Sequence, residues 1–485
     1  MIVSILAAWL PARTASRLDP IAALHDIETR TTRDVAGFPR TAGGVLLLAA
    51  GLLLTAFSTP TVGLNIQLFY TLLIQAGMIL LLPKFIEWGS LALRPLMNYF
   101  FGVAGLIAVE TLIKAPRRTA STVGALMIGL AFVYSTGAFI VSQKAAVDNE
   151  LDRSLDVDIL VTSSKQLQAT SNHFSPATTE RIMSLPGVEL ADTLRISSVN
   201  FGGDKVSLLS HDMKAYFAIS PRLLEVGDPR VAESKMANGE GVLVSNNLAY
   251  RRNLKMGDVL KIDSPNGTLE LPVVGMLSYY RSEKGTIIMD RSLFQKYWND
   301  TDADDILINL KPGTDPGQFK QSVAAAIGGD QDAFIYTHEE FKKWVDGLID
   351  QFFALFYLQM VIAVFVAALG LVNTMVISVD ERRRELGIFR AIGGLRRQVM
   401  KMVLLEAVAI ALIGLAAGAV TGLFNAYFLV HTAARVVAGF TVELIFPYTM
   451  VLTAVPFVIV VAVVAAFLPA MRAARTNVVE AVGYE

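Results

Sequence analysis

The amino-acid sequence predicts a polytopic α-helical membrane protein of about six transmembrane helices, with one α/β extracytoplasmic domain inserted between spans. Three observations carry that expectation. Hydrophobic residues make up 53% of the 485-residue chain and charged residues only 18%, against about 25% charged in soluble proteins. The apolar residues gather into long charge-free runs, each of a length that crosses a bilayer. Between two of those runs lie 208 residues, 142–349, with the composition of a water-soluble domain. The absence of cysteine excludes disulfides, thiolate metal sites and a cysteine nucleophile. The five histidines, at 25, 173, 211, 338 and 431, show no metal-ligand spacing, so no metal or cofactor is expected. A formal net charge of −1 argues against nucleic acid as a partner.

The spans follow in order. Thr41 to Pro83 is charge-free for 43 positions, enough for two helices of about 20 residues, over 43–83, divided by the turn-forming cluster at 58–63. Thr119 to Gln143 supplies a third span, 120–141, and Gln351 to Val379 a fourth, 350–379. Ala407 to Ala434 and Leu444 to Met471 supply the last two, within 401–485. Residues 1–12 are uncharged but too short to cross alone, and read as the last turns of a further span.

The net charge hides a division. Residues 142–349 carry 22 basic and 29 acidic side chains, a net −7, which leaves +6 for the remainder. Short basic segments face the cytoplasm. Those at 12–40, 84–118 and 380–401, with the tail bearing Arg472 and Arg475, fall on one side if six spans alternate. The 208-residue domain then falls outside the cytoplasm.

Within that domain, residues 241–245 and 305–309 read as strands. Residues 259–263 and 268–274 flank Pro265-Asn266-Gly267, a hairpin signal. Residues 178–185 and 315–327 have helical character. Thr337-His338-Glu339-Glu340 is a capping box, and with no proline before the end of the fourth span, one helix is expected from about His338 to Val379. At 1.5 Å per residue it is a rod of roughly 60 Å, twice the hydrocarbon thickness. It serves either as a transmitter of motion or as a plain anchor.

Two further patterns are specific. Ala7-Ala-Trp-Leu-Pro-Ala12 matches Ala465-Ala-Phe-Leu-Pro-Ala470, with eight identities between 7–24 and 465–482, an internal repeat that implies two homologous membrane units. After the fourth span, residues 380–398 read as a short basic helix. Leu386, Phe389 and Ile392 are expected on one face, Arg382, Arg383 and Arg390 around it, and Gly393 and Gly394 at its end. The positive-inside rule explains the arginines, whereas the apolar face requires a partner. Residues 108–118, within an amphipathic segment 84–119, end in Pro116-Arg117-Arg118-Thr119, where a proline breaks an interfacial helix as the chain enters the membrane.

Glu381-Arg-x-x-Glu385-x-Gly387-Ile-x-x-Ala391-x-Gly393 resembles the coupling-helix signature of FtsX/MacB-type ABC transporter permeases. The Pro116-Arg117-Arg118 approach, the Leu-Pro-Ala exit and the position of the outer domain resemble the same family. The resemblance implies a four-span unit with a MacB-like periplasmic core domain over 142–349, a stalk helix over 350–379 and a coupling helix over 380–400. It makes 43–83 the linker pair of the long two-unit form and 1–42 the remnant of a first permease unit with its cytoplasmic linker. The missing first unit is then expected from a longer reading frame or a second permease chain. It places the chain in the bacterial cytoplasmic membrane.

No G-x-x-x-x-G-K-[ST] occurs, so the chain carries no P-loop and is not expected to be an enzyme. The resemblance supplies cytoplasmic ABC ATPase subunits as partners. It implies ATPase coupling through Glu381, Arg382, Glu385, Leu386, Phe389, Arg390 and Ala391, with Gly387 and Gly393 for close packing. Membrane lipid and a periplasmic or outer-membrane component are the other expected partners. The expected function is to couple ATP hydrolysis to motion of the outer domain, for export or extraction of a lipoprotein, lipid, peptide or drug. The alternative is a signalling module that regulates a cell-wall hydrolase or senses antimicrobial peptides. Glu406 is expected at the membrane interface. Asn373 and Gln75 are expected to make interhelical hydrogen bonds, and Tyr279, Tyr280 and Trp298 to pack in the outer domain's core.

Overall fold

The structure, a computed structural model, describes residues 37–57, 64–114, 116–154, 157–164, 172–220, 224–279, 282, 284–328, 333–433 and 442–475. The first copy of the repeat, the turn at 58–63 and Tyr280 lie outside the described residues. Two membrane helices come first, α1 (Gly37–Ala56) and α2 (Leu64–Phe101), followed by the short α3 (Val103–Lys114) and then α4 (Pro116–Ser154). Pro116, Arg117 and Arg118 form the first turn of α4, where a proline costs nothing because the first N–H groups have no helical partner.

The domain that follows runs β1 (Ile159–Thr162), α5 (Pro176–Met183), β2 (Val188–Phe201), β3 (Asp204–His211), α6 (Met213–Ile219), α7 (Pro229–Ala237), β4 (Val242–Ser245) and α8 (Asn246–Arg252). It continues with β5 (Val259–Ser264), β6 (Gly267–Leu277), β7 (Thr286–Asp290), α9 (Arg291–Trp298), β8 (Asp305–Leu310), α10 (Pro316–Ile327) and β9 (Phe334–Thr337). Three long α-helices, a short one and a π-helical turn close the described chain: α11 (His338–Glu381), α12 (Arg383–Ala391), α13 (Arg396–Tyr427) continued by the π-helical Phe428–Ala433, and α14 (Tyr448–Arg475). Among the described residues six helices, α1, α2, α4, α11, α13 and α14, are long and apolar enough to cross a membrane.

The nine strands of the described residues form one mixed sheet in the order β5-β6-β4-β7-β3-β2-β8-β1-β9. The β5–β6 hairpin pairs Ser264 with Gly267, so Pro265 and Asn266 make the turn as the sequence predicts. The 14-residue β2 joins two halves of the sheet, pairing with β8 through its first part and β3 through its second. Its register is fixed from the side by Arg195, which reaches Asp300 at 2.8 Å and Asp304 at 2.9 Å. Trp298 stacks on Phe294, and Tyr279 packs against the core, as expected for both.

The sheet domain grows directly out of the membrane helices. β9 pairs with β1 and runs without a break into α11, whose first residue follows Thr337. The predicted capping box is present. Thr337 accepts from the Glu340 N–H at 3.3 Å, and Glu340 accepts from the Thr337 N–H at 3.0 Å, an arrangement worth about 1 kcal/mol. From there α11 continues for 44 residues, about 65 Å. α4 likewise runs on past its charge-free run, and the two form a neck. Val147 and Leu151 of α4 pack with Phe341 and Val345 of α11 in the same core as Leu160 and Leu277 of the sheet. Lys342 binds Asp152 at 2.9 Å and Lys144 pairs with Asp350 across the neck.

Within the membrane portion, α4 and α13 are the most buried helices. Gly414, Gly418 and Gly422 of α13 face α4. A Cβ on Gly418 would lie 2.7 Å from the Leu130 Cβ, and one on Gly414 3.0 Å from the Leu126 Cβ. These glycines let the two helices approach closely, which is what association in lipid rewards.

Candidate functional site

The end of the stalk remote from the sheet domain is where the sequence motifs meet. α11 ends at Glu381, Arg382 leaves helical geometry with φ −102° and ψ 14°, and α12 begins at Arg383. Nine residues later α12 stops in a Schellman turn. The Gly394 N–H donates to the Phe389 carbonyl at 3.0 Å and the Gly393 N–H to the Arg390 carbonyl at 3.1 Å, satisfying two of the helix's last carbonyls. Gly393 sits at φ +104° with nothing within 4 Å of its Cβ position. Within the chain the close approach is at Gly394, where a Cβ would lie 2.4 Å from the Phe389 ring. Gly393 supplies the backbone conformation instead.

α12 divides its apolar residues between two faces. Leu386 and Gly387 are buried, and Phe389 is half-buried. Leu386 and Phe389 turn toward a small core of Val379, Val399, Val403, Ala470 and Ala473, contributed by α11, α13 and α14. Leu386, expected as a partner contact, thus binds the protein's own helices. Ile392, expected on the face of Leu386, is 78% exposed, and Ile388 and Leu395 are exposed as well. The reason is periodicity: six residues at 100° each carry Ile392 well off the Leu386 face. Glu381, Glu385 and Ala391 are also exposed, and Arg390 is half-buried.

Arg382 turns inward as well. Its Nη1 donates to Glu406 Oε2 at 3.1 Å and its Nε to Glu385 Oε2 at 3.2 Å. Glu406 is buried among the helices, 3% exposed, and also accepts from Ser378 Oγ at 3.0 Å. Its partners Ser378 on α11 and Arg382 at the break lie 28 and 24 positions away, with no regular spacing to mark them in the sequence. The Gly414-x-x-x-Gly418-x-x-x-Gly422 row, by contrast, was open to detection as a repeated small-residue spacing. Among the described residues no group of His, Asp or Glu is placed to hold a metal ion.

Comparison with known proteins agrees with this architecture. The MacB-like periplasmic core domain family matches residues 119–326, and the FtsX-like permease C-terminal family matches residues 357–478. A sheet domain followed by a permease domain, set among six apolar helices, defines the class. The chain belongs to the FtsX/MacB type of ABC transporter permease. Among its relatives, an uncharacterized ABC transporter permease protein of Mycobacterium tuberculosis is 27% identical over 100% of this chain and 57% of its own length. The macrolide export ATP-binding/permease protein MacB of Nitrobacter winogradskyi is 25% identical over 82% of this chain and 62% of its own. The chain thus spans less than two thirds of either relative. The periplasmic region of MacB from Actinobacillus actinomycetemcomitans aligns with 41% of this chain and 98% of its own, at a TM-score of 0.31 and 11% identity.

Proposed function

We propose that the protein is the membrane-spanning subunit of a bacterial cytoplasmic-membrane transporter. It takes up motion from a separate cytoplasmic ATPase at α12 and delivers it to the sheet domain through α11. The cargo class is that of export or extraction: a lipoprotein, lipid, peptide or drug. The observation that carries the reading is three exposed apolar side chains at the foot of a 44-residue helix: Ile388 on α12, Ile392 just past its end and Leu395 just before α13. Apolar side chains left uncovered beside charged residues mark a docking surface, and the helix above them runs unbroken into strand β9. Arg383 and Arg384, exposed on α12, give that surface a positive rim. Glu381, Glu385, Phe389, Arg390 and Ala391 belong to the same proposed interface or its support.

The trial is co-purification of the full chain with co-expressed ABC ATPases. Ile388→Asp with Ile392→Asp is expected to abolish association while the protein still inserts and folds. Association that survives both substitutions removes the proposal.

A further inference from the structure

One buried carboxylate on α13 ties the end of α11 to the start of α12. Glu406 on α13 accepts from Ser378, in the last turn of α11, and from Arg382, the residue between α11 and α12. Arg382 in turn donates to Glu385 in the first turn of α12. Burial does not call for a charge at position 406, since Val403, Leu405 and Ala407 around it are buried and apolar. A buried ion pair in such a setting often contributes no more stability than an apolar replacement of similar size. What the pair supplies is direction: its oxygens fix where the end of α11 and the guanidinium at the break must lie. At Arg382 the backbone departs from helical geometry, and besides this contact α12 is held at the break by Arg382–Glu385 and by Leu386 packing on Val379.

We infer that Glu406 is a positioning residue that sets the angle between α11 and α12 through Arg382, so that displacement of α12 reaches α11 and is not lost in bending at the break. The inference rests on α12 being the segment that receives motion. Its test involves no ATPase, so failure of the joint and failure of docking are read separately.

The chain has no cysteine, so spin labels can be introduced at chosen sites without removing any native thiol. Leu369→Cys on α11 and Ile392→Cys beyond α12, both exposed, report the angle by pulsed electron-paramagnetic-resonance distances on the full chain in lipid nanodiscs. Leu369→Cys with Val464→Cys on α14 is the control pair. The parent is expected to give one narrow distance for both pairs. Glu406→Gln, and the double replacement Arg382→Met with Glu406→Met that removes both charges while keeping the volume filled, are expected to lose the narrow 369–392 peak. The control distance is expected to stay unchanged in both. A purely structural role predicts the opposite pattern, a lowered unfolding temperature with the 369–392 distance still narrow. That result in either variant overturns the inference.

Discussion

Gly393 and Gly394 are adjacent and chemically identical, yet they are needed for different reasons. Gly393 occupies φ +104° in open space, so a side chain there meets only its own backbone; Gly393→Ala is expected to cost about 1–2 kcal/mol. At Gly394 a Cβ would lie 2.4 Å from the Phe389 Cε1 and 2.6 Å from the Phe389 carbonyl oxygen. The ring can swing aside, but the oxygen cannot retreat without lengthening the bond it accepts from Gly394. Gly394→Ala is therefore expected to be the more damaging of the two. Hydrogen exchange at 389–394, together with thermal unfolding in detergent, checks the order; equal effects would mean that the turn relaxes freely. The glycine pair as a helix stop was legible in the sequence, because a stop needs only local backbone geometry. Which glycine did what was not, because it depends on where the Phe389 ring lies. Glu406 shows the same limit: burial and its partners come from three helices that are neighbours only after folding.

At the scale of elements, legibility followed how local each determinant is. The stalk was readable from its capping box and the lack of an interrupting proline. The β5–β6 hairpin was readable from Pro265-Asn266-Gly267. The long strand β2 was not, since Asp192 and Arg195 interrupt its alternation; Asp192 is fully buried against the His211 ring at 2.6 Å, a contact made across the sheet. The glycine row of α13 tests how the membrane helices are held. Gly418→Val adds a branched side chain where the Cβ alone would lie 2.7 Å from the Leu130 Cβ and 3.4 Å from the Met127 carbonyl oxygen. Neither atom is the far end of a flexible side chain, so α4 and α13 must separate. Overpacking of this kind is expected to cost about 1–3 kcal/mol, read as a lower unfolding temperature in detergent. Gly43→Val, on α1 with nothing within 4 Å of its Cβ position, is the matched control. If both variants unfold alike, the close approach of α4 and α13 contributes nothing specific.

For the whole molecule, the near-zero net charge is a sum of unlike parts, and the parts predict an orientation. The segment 142–349 carries −7 and the remainder +6, with the basic residues concentrated in short connections whose charge sets topology. The neck formed by α4 and α11 ties the sheet domain to one end of the helical bundle, while α12 lies at the foot of α11. A single bilayer around the apolar runs therefore separates Lys261 from Ile392. Lys261 is on the edge strand β5, its side chain 72% exposed, and Ile392 is exposed at the joint. With no native cysteine in the chain, each position can carry the only thiol in the protein. Lys261→Cys is expected to react with a membrane-impermeant maleimide in intact spheroplasts, and Ile392→Cys only after lysis. The reversed pattern would place α12 outside the cytoplasm. No cytoplasmic ATPase could then reach it, so the docking proposal would fall together with the orientation.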